Sequence, residues 1–283
     1  MFTRSILAAF CVALLAGSSV QAAGKPAITK PKYDPEAPVV YLFKGMEEKK
    51  LEVKLIQKNS KTGNLLIENK TNETLTIGMP DAFVGVHVLN QIGGGLGGGL
   101  GGGGGQQGGG GGQTTGGGGG GGLGGGLGGG GGQQGGGGQG FFSIPPGKLV
   151  RVPVNSVCLE HGKPEPMSRM KYQVMPVEKV STDPVLRQLL RAVAVGRVNK
   201  NAAQAAAWHL ANGKTWRELA AMKIKRAGNL PSPPLFSYND LRQADMLVTM
   251  AKAKAEEAEE KGETKPVEKD AKPEIPLRGS RAK

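Results

Sequence analysis

The chain has 283 residues, 36 Lys or Arg against 23 Asp or Glu for a formal net charge of +13, and 49 glycines. Its two cysteines, Cys11 and Cys158, are too few for a disulfide-stapled scaffold, so stability has to come from a packed core. Setting aside the ends and one glycine-dense stretch leaves roughly 185 residues to fold, enough for one sizeable core or two packed layers.

Residues 1–22 have the pattern of a cleavable signal peptide. Arg4 supplies the positive start, Ile6 to Leu15 is apolar and uncharged, and Val20-Gln21-Ala22 offers small residues at the positions a signal peptidase reads, placing cleavage after Ala22. The apolar run is well short of the ~20 residues that cross a bilayer, and no other stretch approaches that length, so no transmembrane segment is expected after cleavage. Export to the periplasm, cell envelope or extracellular space follows. Cleavage would remove Arg4 and Cys11, leaving Cys158 as a single thiol.

Residues 23–92 read as β-structure. Leu51-Glu52-Val53-Lys54-Leu55 alternates apolar and charged, the mark of a half-buried strand. Leu65 to Asn69 and Thr74 to Ile77 are two more strands, with Lys70 to Glu73 between them as a hairpin turn. Phe83 to Leu89 is a further strand.

Residues 93–140 hold 36 of the 49 glycines, with only Gln, Leu and Thr besides, and carry a near-repeat: the pattern from Leu96 to Gln106-Gln107 recurs from Leu123 to Gln133-Gln134. With almost no side chains to bury and the largest backbone entropy to lose, this insert is expected to stay disordered. It lacks the strict Gly-X-Y period of collagen. Loop closure grows only logarithmically with length, so ~50 such residues cost about 1 kcal/mol more than a ten-residue loop.

Beyond the insert, residues 141–178 resume the β pattern. Val150, Val152 and Val154 alternate with Arg151 and Pro153, the proline suggesting an edge position, and Tyr172 to Met175 closes the set. Residues 179–260 switch to helices. Asp183-Pro184 starts one that ends at Gly196, a second runs from about Asn201 to Ala211, Thr215 to Glu218 is a capping box opening a third, and Ser237 to Asp240 opens a fourth. Residues 261–283 are charged and proline-punctuated, an expected disordered tail. The fold class is therefore α+β: a small antiparallel β-sandwich-like region, interrupted by a disordered loop and followed by a helical region.

Positive charge gathers on the helices. Residues 184–226 hold Arg187, Arg191, Arg197, Lys200, Lys214, Arg217, Lys223, Lys225 and Arg226 against one acid, Glu218. Outside the cytoplasm an anionic envelope polymer or surface is the expected target, and nucleic acid is not. The competing reading is that these cations are the solvated faces of amphipathic helices.

Candidate chemistry gathers at two places: Val157 to Pro166, with Cys158 and His161, and the helical run from Ala203 to His209, in which Gln204 and Trp208 share a face at i, i+4. Cys158 and His161, with His209, are candidate metal ligands, although a zinc site wants a fourth. Cys158 with His161 or His209 is also the minimum for a thiol- or metal-dependent hydrolase, without an oxyanion-hole motif beside it. No phosphate-binding loop, nucleophile elbow or His-Glu-x-x-His occurs. A lone cysteine can equally be a small buried hydrophobe.

A cysteine at a strand end followed by a helical Gln-x-x-x-Trp is similar to the paired motifs of bacterial thioester adhesin domains. That resemblance implies an internal thioester between Cys158 and Gln204, formed with loss of ammonia and able to capture surface amines. Only 46 residues separate the two, and Ala206 stands two before Trp208. Over its length the chain more closely resembles a group of exported planctomycete-type proteins. These share a Leu-Ile-Glu-Asn-Lys strand (Leu66 to Lys70), a Gly/Gln-rich insert, the Val157 to Pro164 segment and the helix from Gln204 to Leu210, a resemblance that implies architecture and no activity. The reading is an exported, non-catalytic structural or binding protein without a cofactor, with covalent adhesion through Cys158–Gln204 and hydrolysis as the alternatives.

Overall fold

The structure, a computed structural model, describes residues 26–88, 114–118, 140–224, 226 and 230–262. The signal-peptide reading, most of the glycine-rich segment, Lys225 and the tail beyond Gly262 lie outside the described residues. The fold is mixed α/β, a strand-rich region followed by helices.

Among the described residues ten strands form two sheets: β1 (Ala27–Ile28), β2 (Val39–Tyr41), β3 (Leu51–Asn59), β4 (Thr62–Asn69), β5 (Leu75–Gly78), β6 (Phe83–His87), β7 (Thr115–Gly118), β8 (Phe141–Ile144), β9 (Leu149–Cys158) and β10 (Tyr172–Met175). A helical turn, α1 (Leu42–Glu47), follows β2. In the larger sheet the antiparallel order β9-β4-β3-β10-β6-β7 closes, because β7 pairs back onto β9, while β1 adds to β9 in parallel. The smaller sheet is β2-β5-β8. Period-2 alternation explains the ring: Leu65 and Ile67 of β4 and Val150, Val152 and Val154 of β9 are buried in one cluster. Leu75 and Ile77 of β5 and Phe142 and Ile144 of β8 join that cluster, so the small sheet shares the core of the large one.

Three local expectations meet the structure differently. Residues 70–73 do not form a hairpin, because β4 and β5 belong to different sheets; the hairpin that β4 does form is with β3, through residues 60–61 before it. The crossing is held by buried Asn69, whose Nδ2 donates to Ile144 O at 2.8 Å and to Glu73 O at 2.7 Å, while its Oδ1 accepts from the Thr71 N–H and hydroxyl. Pro153 lies in a strand paired to β4, not in an edge strand. On its other side, however, β1 covers β9 only at Leu149–Val150 and β7 only from Asn155, so the missing N–H falls in the gap.

The third difference is in the glycine-rich segment, expected to be unstructured throughout. Residues 115–118 form β7, the strand that closes the ring between β6 and β9. Thr115 Oγ1 accepts from Gln57 Nε2 at 2.9 Å inside the ring, where Ser156 Oγ donates to Gln57 Oε1 at 3.3 Å. A Cβ on Gly116 would lie 2.6 Å from Leu190 Cδ2, and Gly117 has φ +154° with Asn155 O only 2.1 Å from where its Cβ would be. Glycine is thus a steric requirement at this place, not merely tolerated.

The helices are α2 (Pro184–Val195), α3 (Lys200–Asn212), α4 (Trp216–Ala221) and α5 (Tyr238–Glu260). Each begins at a side-chain cap: Asp183, Asn199, Thr215 with Glu218, and Ser237 with Asp240. Gly196 and Gly213 end α2 and α3 in the left-handed region. The buried stripe of α2 (Leu186, Leu189, Leu190, Val193) and the alanine face of α3 pack with Ala244, Val248 and Ala251 of α5. Val84, Val157 and Leu159 belong to this helical cluster, so strands β6 and β9 put one face into the ring and the other under the helices.

Candidate functional site around Cys158 and Gln204

Strand β9 ends at Cys158, which is buried and forms no disulfide. Its Cα pairs with Thr115, so its thiol lies on the same side of the sheet as the Thr115 hydroxyl, facing the ring interior. Its peptide N–H and C=O point the other way from β7, toward the side where β4, which starts at Thr62 opposite Asn155, does not reach. Gln204 of α3 fills that vacancy. Its Oε1 accepts from the Cys158 N–H at 2.9 Å and its Nε2 donates to Cys158 O at 2.8 Å. A single carboxamide thereby stands in for the missing strand, satisfying both polar groups of a buried residue. The two residues singled out for a thioester are brought together, with the carboxamide turned to the peptide group.

The rest of the Val157 to Pro166 segment is a set of fasteners to other elements. Glu160 Oε2 accepts from the Thr114 N–H at 2.9 Å, anchoring the start of β7, and Oε1 pairs with Lys163 Nζ at 3.1 Å. Burial pushes the Glu160 pKa up, but the Thr114 and Lys163 contacts outweigh it and leave the group below the ordinary glutamate value. The His161 N–H donates to Asn212 Oδ1 at the end of α3. Glu165 Oε1 accepts from both the Ser60 N–H at 2.8 Å and its hydroxyl at 2.6 Å, gripping the β3–β4 turn.

The histidines go to different aromatic partners. His161 meets Trp208 edge-on, with ring centroids 4.7 Å apart, and Trp208 in turn meets Phe236. His209 stacks on Trp216 at 4.3 Å, and its Nδ1 is 2.7 Å from Lys214 O. Cys158, His161 and His209 therefore do not converge as a ligand set, and among the described residues no group of three or more His, Cys, Asp or Glu could hold a metal ion. The Cys-x-x-His spacing misleads because the strand ends at Cys158 and His161 lies in the turn beyond it, its ring drawn onto the helix.

Tyr172, overlooked in the sequence, lies in the same ring as Cys158. Burial first, then Cys158 and Glu165, raises its pKa to about 12. Gln57 was also overlooked, because a glutamine in an alternating strand reads as an outward position; its parity with Leu51 and Leu55 was the available signal.

Of the basic residues, Arg187 pairs with Glu178 at 3.1 Å, Arg191 with Asp81, and Lys214 with Glu218 at 3.0 Å. Arg197, Lys200, Arg217, Lys223 and Arg226 are exposed. Comparison of the chain with family models, curated proteins and solved structures finds no match.

Proposed function

We propose that the protein is an exported, non-catalytic structural or binding protein of the cell envelope or extracellular space that holds an anionic polymer through its helical half. The observation carrying this reading is the exposure of Arg197, Lys200, Arg217, Lys223 and Arg226, none with an acidic partner among the described residues. A non-catalytic role is favoured because Cys158, Glu160, His161, Gln204 and His209 are each engaged in contacts between elements. As a fold, we read the strand-rich half as a barrel backed by a small sheet, in place of a two-sheet sandwich; the closure through β7 favours it.

Passage over an immobilised anionic polysaccharide tests the binding role. Retention at low salt with elution as salt rises is expected, and Arg197→Glu with Lys200→Glu and Arg217→Glu should abolish it. A wild-type chain that flows through at low salt overturns the reading.

The thioester is the second reading, and the closeness of Cys158 and Gln204 is what favours it. It requires the carboxamide to rotate from the Cys158 peptide to its thiol and lose ammonia. A mass one ammonia below the sequence, restored with the amine attached after methylamine, supports it; a thiol that alkylates quantitatively removes it.

A further inference from the structure

Two side chains from separate elements meet where the strands touch the helices, with a carboxylate from a third element nearby. Lys61 lies in the β3–β4 turn, Asn201 in the first turn of α3, and Asp240 in the first turn of α5. Lys61 Nζ is 2.8 Å from Asn201 Oδ1, across 140 positions of sequence. The Asp240 carboxylate accepts from the Ser237 N–H at 2.9 Å and its hydroxyl at 2.8 Å, and is near enough to the side chains of Asn201 and Asn199 for them to help lower its pKa. An amine thus meets a carboxamide, with a buried carboxylate close by.

From this arrangement we propose that Lys61 and Asn201 condense into an isopeptide bond, with Asp240 moving the proton. The Lys61 Nζ lone pair attacks Asn201 Cγ, forming a C–N bond; the bond from Cγ to Nδ2 breaks and the nitrogen leaves as ammonia. Protonated amine plus carboxamide gives secondary amide plus ammonium, so atoms balance and nothing is oxidised or reduced. Asp240 sits at the carboxamide, where it takes a proton from the amine side and returns one to the departing nitrogen.

Position and surroundings favour the step. The Lys61 backbone is fixed on both sides, its N–H donating to Asn59 Oδ1 at 2.9 Å and its C=O accepting from the Ser156 N–H at 3.1 Å. Asn201 is fixed by the Asn199 side chain, which accepts from its N–H at 2.9 Å. Two reactants held this way avoid the entropy cost of meeting. Lys61 and Asn201 are each half-buried, so their contact is partly shielded from solvent. Burial raises the Asp240 pKa, but contacts from Ser237, Asn201 and Asn199 outweigh it, leaving the carboxylate in the form that accepts a proton. Among the described residues the partner of Lys61 Nζ is this amide and not an acid.

The test is intact mass and peptide mapping of the purified full chain, measured from its observed first residue. The expected result is a mass one ammonia below the sequence and a branched peptide joining Lys61 to Asn201 that survives methylamine and reductant. Lys61→Arg and Asn201→Ala should each return the sequence mass, as should the isosteric Asp240→Asn, with circular dichroism confirming that each variant folds. Cys158→Ala should keep the deficit. A wild-type chain at its sequence mass, cut by trypsin after Lys61, overturns the proposal. So does a deficit that vanishes in Cys158→Ala and persists in Lys61→Arg, which would assign the lost ammonia to the thioester.

Discussion

At the scale of single residues, Gln204 shows how a side chain that advertises chemistry can be consumed by architecture. Gln204→Ala leaves the buried N–H and C=O of Cys158 without partners, and about 3 kcal/mol of stability should go with them. Urea unfolding measures this; a loss below about 1 kcal/mol would mean that water reaches the strand end. Tyr172 gives a second prediction. Its pKa rises from 10 to about 12 in the folded chain, chiefly by burial. A raised value means a contribution to stability that is complete below pH 10 and lost as pH climbs through about 12. Tyr172→Phe should flatten the pH dependence of thermal unfolding in that alkaline window. The sequence displayed Cys158, Gln204, His161 and His209 as candidates because their types are rare and reactive. It could not display that the Gln204 carboxamide meets a peptide group, since that depends on β4 pairing no further than Thr62–Asn155 while β9 runs on to Cys158.

At the scale of elements, the helices were the most legible part. Asp183-Pro184, the Thr215–Glu218 box and Ser237–Asp240 are local signals whose meaning needs no tertiary context, and each stands at a helix start in the structure. Glu218 carries a prediction of its own. Hydrogen bonds from the Thr215 N–H, Lys214 and the Thr215 hydroxyl lower its pKa from 4.5 to about 2. A lowered value means stabilisation present above 4.5 and lost as pH falls through about 2, so Glu218→Gln should weaken the acid dependence of α4 in that interval, followed by side-chain NMR titration. Strand pairing was less legible: alternation located β3, β4 and β9 but not their partners, and residues 70–73 were misjudged as a hairpin because a polar turn looks alike whether the chain returns to its neighbour or crosses to another sheet. The least legible was β7. Four residues, Thr115 followed by three glycines, have no periodicity to read, and their strand state is imposed wholly by β6 and β9. Two substitutions should separate its glycines. Gly116→Ala pushes on the movable end of Leu190 and should cost about 1–2 kcal/mol, whereas Gly117→Ala meets the Asn155 backbone at a φ that disfavours a side chain and should cost on the order of 3 kcal/mol. Equal effects in thermal melts would contradict this placement of β7.

At the scale of the whole molecule, the two buried clusters are joined by strands with two working faces. The ring interior holds Leu55, Leu65 and Val152, while Val84 and Val157 turn outward to α2 and α3. Composition could bound the size of the core but not reveal that the halves share strands. It follows that opening the ring should loosen the helices as well: replacing Thr114 to Gly118 by a Gly/Ser run carrying two prolines should speed the exchange of protected amides in α2 and β9 together, lowering their hydrogen-exchange protection as one unit. Protection lost in β9 alone would show two independent cores. The placement of β7 also changes what copying errors mean for this chain. The near-repeats beginning at Leu96 and Leu123 stand on either side of it, and slippage within either one changes the number of residues flanking β7 and leaves its own four unchanged. The same slip through Thr114–Gly118, hardly different in amino-acid content, removes a stave. A reader of composition would count the two events as equal, although only the second takes away the strand that β6 and β9 pair with.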